Sequence, residues 1–276
     1  MTDLRENQKN KYRALWEFSQ GVSAVKSTPV NLQLGLSNVC NFKCVYCFDQ
    51  RPGNTVPRSR LEGEVWKRLL TLIPNSGALA FHGVSEFMMD RNFFDIVGRC
   101  ADAGANLMIN TNGSVCTPKY VDVLKKYPGA LYFSVSVDAA TPETFTRIRG
   151  WHFDRVIRNI KTYVEAFENR RDRTWILLTF VIVKSNVHEM EMFVQLGKDL
   201  KVNAVRFYRL HEYPGMDWEV EAKFGGKFNY KEEYAGRYAA EYNRHIESAQ
   251  RLAEKIDMRV ELPAPLSEAE LQEARL

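Results

Sequence analysis

Short apolar runs alternate with amphipathic segments along most of the chain. Runs at 32–36, 78–83, 107–110, 131–137, 175–183 and 204–210 are rich in aliphatic and aromatic residues and predict strands. Between them apolar positions recur at helical spacing, predicting helices over 62–73, 91–103, 119–127, 153–169 and 188–200. Phe94, Ile96 and Val97 mark the second of these, and Val156, Ile157, Ile160 and Val164 the fourth. Such alternation is the pattern of βαβ units and a parallel sheet. Six units are too few to close a barrel of about eight strands. The expected fold is therefore α/β, a partial (β/α)6 TIM-like barrel with one open side.

The flanks follow a different pattern. Residues 4–20 read as a leading helix, and Pro29 breaks the chain before the first strand. After Leu210 the alternation stops, and Gly215, Gly225 and Gly226 mark a loop. A single long helix is expected over 231–256, then a short strand at Val260 and Leu262 that Pro263 and Pro265 end. The chain thus divides into a helical lead-in, 1–27, a barrel, 28–212, and a helical C-terminal extension, 213–276.

Composition narrows the function only slightly. A net charge of +4 with acids and bases interspersed is too mild to argue for nucleic acid. No uncharged apolar stretch of about 18 residues predicts a membrane span. The polar first residues lack the apolar core of a signal peptide. Five cysteines, three of them crowded together, do not make a disulfide framework and fit a reducing cytoplasm.

Those three, Cys40, Cys44 and Cys47, stand in the spacing C-x3-C-x2-C just past the first predicted strand. That is the strand end where α/β proteins place their chemistry. Three thiolates on one tight loop can hold three corners of an iron–sulfur cube and leave the fourth iron open, whereas a fourth cysteine would make an electron carrier. Zinc usually takes four ligands in paired units. No second pair follows, and His82, His152, His188, His211 and His245 are scattered singly.

With Tyr46 just before the last cysteine, the loop resembles the signature of the radical S-adenosylmethionine (radical SAM) superfamily. The resemblance covers about residues 28–212. It implies a [4Fe-4S] cluster on Cys40, Cys44 and Cys47, with the open iron chelated by S-adenosyl-L-methionine. Reductive cleavage would give a 5′-deoxyadenosyl radical that takes hydrogen from a substrate. An external one-electron donor, flavodoxin or ferredoxin, is implied as well.

Downstream strand ends supply groups such chemistry needs. Gly83-Val84-Ser85-Glu86 stands where related enzymes use a Gly-Gly-Glu-Pro-like turn, though the proline and second glycine are missing. Gly83 lets backbone carbonyls approach a ligand, and Glu86 is a candidate acceptor for the ammonium of the cofactor. Its plainer reading is an acid at a helix start. Asn110-Thr111-Asn112-Gly113 resembles a segment lying over the cofactor in the family, and is also a strong turn signal. Ser134, Ser136 and Asp138 alternate onto one strand face. Ser136 and Asp138 are candidates for the ribose hydroxyls, and Asp138 could instead cap the next helix with Thr141. Arg149 matches an arginine of related enzymes and could hold the cofactor carboxylate with two parallel bonds. Leu210 stands where a leucine lines the adenine in the family. Asn186 is expected to cap the helix beginning near His188.

Tyr208, His211, Glu212 and Tyr213 follow the sixth strand as candidates for substrate contact or proton transfer. Cys100 fits a helix core position, while Cys116 could be a thiol near the site or a structural one. Beyond Cys116 the sequence holds no cysteine for an auxiliary cluster. A capping-box-like helical start at Ser267 reads either as a natural end or as the beginning of something longer. The resemblance is closest to members acting on peptides or sugar-like small molecules, with no membrane or nucleic-acid partner. Two rivals stand beside it: a non-catalytic iron–sulfur or zinc sensor, and a radical SAM enzyme that modifies nucleic acid, for which Arg170, Arg171 and Arg173 would begin a basic face.

Overall fold

A computed structural model of the chain describes residues 4–212, 217–267 and 270. Six strands, β1 (Asn31–Leu34), β2 (Ala78–Phe81), β3 (Asn106–Thr111), β4 (Leu131–Ser136), β5 (Thr174–Ile182) and β6 (Ala204–Arg209), lie side by side in sequence order, all parallel. A hairpin of β7 (Glu219–Glu221) and β8 (Lys227–Asn229) follows, and β9 (Val260–Glu261) adds a parallel seventh strand beside β6. The sheet is open, with β1 and β9 at its edges. The helices are α1 (Glu6–Ser19), α2 (Gly63–Leu72), α3 (Phe93–Ala103), α4 (Pro118–Lys125), α5 (Pro142–Arg149), α6 (Phe153–Ala166), α7 (Met190–Asp199) and α8 (Ala239–Lys255). This is the α/β partial barrel that the periodicity predicts. Among the described residues no helix is long and apolar enough to cross a membrane.

Strand alternation separates two faces. Leu79, Phe81, Leu107, Ile109, Phe133, Val135, Leu178, Phe180, Val205 and Phe207 are buried beneath the helices. Each such large side chain contributes roughly 1.5–3 kcal/mol through burial. The opposite positions, Gln33, Met108, Asn110, Tyr132, Ser136, Trp175 and Tyr208, are half-buried or exposed. Helices therefore cover one face, and the other is left open and mixed in polarity.

The departures from expectation are local. Helix α5 is only eight residues long, too short for its apolar spacing to stand out. Its start was nonetheless written in the capping Thr141 and Pro142, and the Thr141 side chain accepts a bond from the Thr144 N–H. The stretch expected as a loop contains the β7–β8 hairpin, whose strands have three residues each, below the length at which alternation is readable. The helix expected over 231–256 begins as two short 3-10 turns, Tyr230–Glu233 and Ala235–Tyr238, and becomes α-helical only at Ala239. Tyr234 between the turns is extended, with φ −71° and ψ 143°. Tyr213, Gly215 and most of the helical pattern after Ser267 lie outside the described residues.

Helix α7 rests unusually close to β6. A Cβ added to Gly197 would stand 2.4 Å from Val205 Cγ2 and 3.1 Å from Met258 Cε. Gly197→Ala is expected to lower stability by about 1–2 kcal/mol, because overpacking exceeds the gain in helix propensity. Urea unfolding checks this, and a raised midpoint would show a looser helix–sheet spacing.

Candidate functional site

The cysteine loop leaves the C-terminal end of β1 and is fixed from several sides. Within it the Cys47 N–H donates to Cys44 O at 3.0 Å, and the Val45 N–H reaches Ile148 O of α5 at 2.9 Å. Phe42 is buried, stacked on Trp151 at 5.2 Å and set edge-on to Phe145 at 6.2 Å. Gly150 ends α5 in the left-handed region, at φ +66°, and a Cβ there would stand 3.0 Å from Lys43 O. The loop and the end of α5 therefore approach more closely than a side chain would allow.

Cys44 is buried, and Cys40 and Cys47 are half-buried. Burial pushes all three thiols up, that of Cys44 to about 12. A thiol held neutral in this way becomes a ligand when a metal cation takes the place of its proton. The Phe42 N–H and the Asn112 amide point at Cys40 Sγ, at 3.4 and 3.7 Å, as donors to a thiolate sulfur would. Among the described residues no three His, Cys, Asp or Glu side chains are grouped as ligands of one metal ion. A cluster asks for something else, one thiolate to each of three irons, and this donor set fits that demand.

Glu86 lies beside the loop, 1% exposed. Its carboxylate accepts the Asn112 N–H at 2.6 Å, the Thr111 hydroxyl at 2.7 Å and the Met88 N–H at 3.2 Å. Burial pushes its carboxyl up, and those three donors oppose the shift. The turn after β3 is thus anchored to the end of β2. Asn112 then reaches the cysteine loop through Asn41 Oδ1 at 2.9 Å, and Asn110 donates to Phe81 O at 3.2 Å. Gly83 takes φ +131° on the exposed side of the same strand end, with Ser85 half-buried.

A second polar set lies on the other side of the loop. Asp138 is fully buried and adopts φ +61°, the left-handed region. Its Oδ1 accepts the Val181 N–H at 2.6 Å. Its Oδ2 accepts Arg149 Nη1 at 2.9 Å and, through a short bond, the Tyr46 hydroxyl. Burial works against the charge on Arg149, and the Asp138 carboxylate facing it more than offsets that, so the guanidinium stays protonated. Arg149 Nη1 also donates to the Tyr46 oxygen at 3.1 Å, while its Nε is buried with no partner.

Three strand ends and the loop thereby bring together Cys40, Cys44, Cys47, Tyr46, Glu86, Asn112, Asp138 and Arg149. Ser136 lies nearby on the open face, within 3.3 Å of Thr179 Oγ1. Thr141, not Asp138, caps α5. Asn186 stands at the N-cap position expected of it, but its side chain makes no cap bond; its amide donates to Asp138 O and Val181 O, both at 2.9 Å, and so supports the left-handed turn. That role needs the fold to be seen, since a cap and a turn brace look alike in sequence.

Other candidates lie apart from this group. Leu210 is buried in a second apolar cluster with Val45, Ile148, Val183, Phe228 and Tyr234. Tyr208 lies on the open face, 45% exposed, its oxygen 3.2 Å from Arg206 Nη1. His211 and Glu212 line a cavity of about 550 Å³ shared with Arg209, Tyr234 and Arg237. Cys100 is a core residue, and Cys116 is half-buried against Tyr163 and Thr162. The sequence did not reveal the hairpin as part of the site. Phe228 packs 6.4 Å from Tyr46, and Trp218 packs 5.9 Å from Phe48.

Comparisons with known proteins bear on the family and the fold. The sequence pattern of the Radical SAM superfamily matches residues 34–197. An AdoMet-dependent heme synthase of Methanosarcina barkeri is 27% identical over 192 residues, 68% of this chain and 52% of the relative. A probable GTP 3',8-cyclase of Saccharolobus islandicus is 28% identical over 185 residues, 66% of this chain and 57% of the relative. The chain thus spans a little over half the length of these curated relatives. Among solved structures, Streptococcus suis SuiB bound to precursor peptide SuiA aligns with TM-score 0.64 at 17% identity, over 93% of this chain and 53% of that one. The enzyme anSMEcpe with bound AdoMet and Cp18Cys peptide aligns with TM-score 0.61 at 16% identity, over 85% of this chain and 63% of that one.

Two outcomes follow from the buried groups. In iron-free protein at neutral pH, iodoacetamide is expected to label Cys40 and Cys47 about tenfold or more faster than Cys44, because the thiolate is the reactive form. Bound iron should protect all three; equal rates, read by mass spectrometry, would contradict the burial of Cys44. Separately, Asp138→Ala should lower stability by about 3–5 kcal/mol, since it leaves the Arg149 charge buried and unpaired. Chemical denaturation measures it, and a loss below about 1 kcal/mol would mean solvent reaches the guanidinium.

Proposed function

The chain belongs to the radical SAM superfamily of enzymes, whose members use a [4Fe-4S] cluster and S-adenosylmethionine, and on that premise we propose that it cleaves S-adenosylmethionine reductively and abstracts hydrogen from a peptide or a sugar-like small molecule. When bound, the cluster and its cofactor supply the electron transfer and the 5′-deoxyadenosyl radical that begin such reactions. The chain's own residues do the holding. Cys40, Cys44 and Cys47 ligate three irons, and Asn112 and the Phe42 N–H donate to the Cys40 sulfur. The carrying observation is Arg149: charged, buried and pinned beside the cysteine loop, with an Nε–H that has no hydrogen-bond partner among the described residues. A cofactor carboxylate satisfies that donor.

Tyr46 and Asp138 fix the guanidinium from the opposite side. In this reading Asp138 acts through Arg149, the cation its carboxylate already pairs with. Glu86 holds the Asn112 turn and offers its oxygens to an ammonium, and Gly83, Ser85 and Asn110 line the same strand ends. Ser136 is the hydroxyl left to meet a ribose, and Leu210 lies beyond Val45 where an adenine edge would rest. Residues 28–212 form the catalytic barrel, and the open face carrying Tyr208 and Tyr132 admits the substrate. Tyr208 on that face, and His211, Glu212 and Cys116 apart from it, are the candidates for substrate contact or proton transfer. An external donor, flavodoxin or ferredoxin, supplies the electron. Peptide substrates are supported by the peptide-bound structures that share the fold, and small molecules by the names of the curated relatives.

The test is anaerobic reconstitution with iron and sulfide, reduction, and assay of 5′-deoxyadenosine from S-adenosylmethionine. Release of the nucleoside is expected, and Cys44→Ala should abolish both it and the cluster absorbance. A stable cluster with no cleavage, with or without substrates, would favour the sensor reading. Arg149→Lys keeps the charge that faces Asp138 but loses the planar fork. It should weaken cofactor binding by about tenfold or more with the cluster intact, and unchanged affinity in equilibrium dialysis would remove Arg149 from the carboxylate site.

A further inference from the structure

Helix α1 has its polarity turned inside out. Its buried residues are Asn7, Asn10 and Glu17. They tie the helix to backbone: Asn7 donates to Ala103 O at 2.9 Å, Asn10 to Thr28 O and Asn75 O at 3.0 Å each, and Glu17 accepts the Lys26 N–H at 2.8 Å. Its large apolar side chains stand in water instead. Tyr12 is 62% exposed, Leu15 56%, Trp16 61% and Phe18 87%. Tyr12, Leu15 and Trp16 are spaced i, i+3, i+4 and so form one ridge. A contiguous exposed apolar ridge is an informative departure from ordinary surfaces, unlike a scattered exposed leucine.

Exposed charge on the helix is mainly basic. Lys9, Lys11 and Arg13 flank the ridge on both sides. Of the two acids, Glu17 is buried, and Glu6 pairs with Lys9 at 3.0 Å. A two-fold dimer through this face would set these cations against their own copies. The face is also small. A helix of 14 residues is about 21 Å long and roughly 10 Å wide, on the order of 200 Å², against about 800 Å² per partner in a stable protein interface. An anionic lipid surface has neither difficulty. It accepts a protruding ridge of Trp, Tyr and Leu at the headgroup boundary, and it attracts Lys and Arg whose stems reach back to phosphate.

We propose that α1 is a peripheral docking element for anionic membrane surfaces, with Tyr12, Leu15, Trp16 and Phe18 entering the headgroup region between Lys9, Lys11 and Arg13. The proposal is independent of the chemistry at the cysteine loop. Position favours it: Thr28, Asn75 and Ala103 precede β1, β2 and β3, so α1 sits at the end of the sheet opposite the cysteine loop. A docked molecule keeps its open strand ends toward solution.

Flotation with vesicles tests it, using phosphatidylcholine alone and phosphatidylcholine mixed with phosphatidylglycerol. The full chain is expected to float with the anionic vesicles, to float much less with the neutral ones, and to be released at about 1 M salt, where screening acts within ~3 Å. The double variant Leu15→Glu, Trp16→Glu should bind roughly tenfold less or weaker; both positions are exposed, and circular dichroism confirms that it folds. Lys11→Glu, Arg13→Glu should weaken binding without touching the ridge. Absence of flotation, or equal flotation of the ridge variant, overturns the proposal. So does a concentration-dependent dimer in light scattering that Leu15→Glu, Trp16→Glu dissolves, which would make the occupant a second copy.

Discussion

A guanidinium resists leaving water, and an unpaired one in a protein interior costs several kcal/mol. Arg149 is nonetheless only 7% exposed, with Asp138 completely buried beside it. Meeting that demand organises much of the site. Asp138 has to turn its carboxylate toward both Arg149 and the Val181 N–H, and it does so from a left-handed backbone that costs a non-glycine residue about 1–2 kcal/mol. Asn186 offsets this by bonding the Asp138 carbonyl. Tyr46 completes the set from the cysteine loop. One charge thus ties together the ends of β4 and β5, the last turn of α5 and the cysteine loop.

The opposite side of the loop is held by the opposite charge. Glu86 is as buried as Asp138 but forms no ion pair among the described residues; three hydrogen-bond donors surround it. A carboxylate and a guanidinium, each fixed by its own strand ends, therefore flank three thiols from two directions. An amino acid carries an ammonium and a carboxylate in one small unit. Under the proposed reading, an ammonium set against Glu86 and a carboxylate set against Arg149 would orient that unit in one sense only.

Much of this could be read in the chain and some of it could not, for reasons that differ by residue. The strands were legible because six apolar runs, each covered by helices on one face, leave a strong local signal. The cysteines and Glu86 were picked out because each follows a strand end, and Arg149 because it matches an arginine of the family. Asp138 was seen as a strand-end acid, but its bond to Arg149 joins residues 11 apart, and Tyr46 lies 92 positions away. No local pattern encodes such a meeting. Helix α5 and the β7–β8 hairpin were missed because eight and three residues are too few for a period to show. The inverted helix α1 was found as a helix, but which side it buries depends on asparagine bonds to distant carbonyls.

The hairpin shows how a segment that carries none of the three cysteines can still belong to the candidate site. Its Ala222 and Phe228, with Tyr230 and Tyr234 after it, share one apolar cluster with Val45 and Ile148 of the loop region. Trp218 meets Phe48, and Lys223 donates to Gly150 O at 3.3 Å. The loop is thus gripped between α5 beneath and the hairpin above, and the cluster crosses the boundary near residue 212 where the strand–helix alternation ends. Loops that carry chemistry need positions fixed to within a fraction of an ångström, and three thiols on a polar loop cannot supply such rigidity alone. Aromatic side chains serve here because they bury large areas with few rotatable bonds. Removing the hairpin would leave every proposed ligand in the sequence and still loosen the loop that presents them.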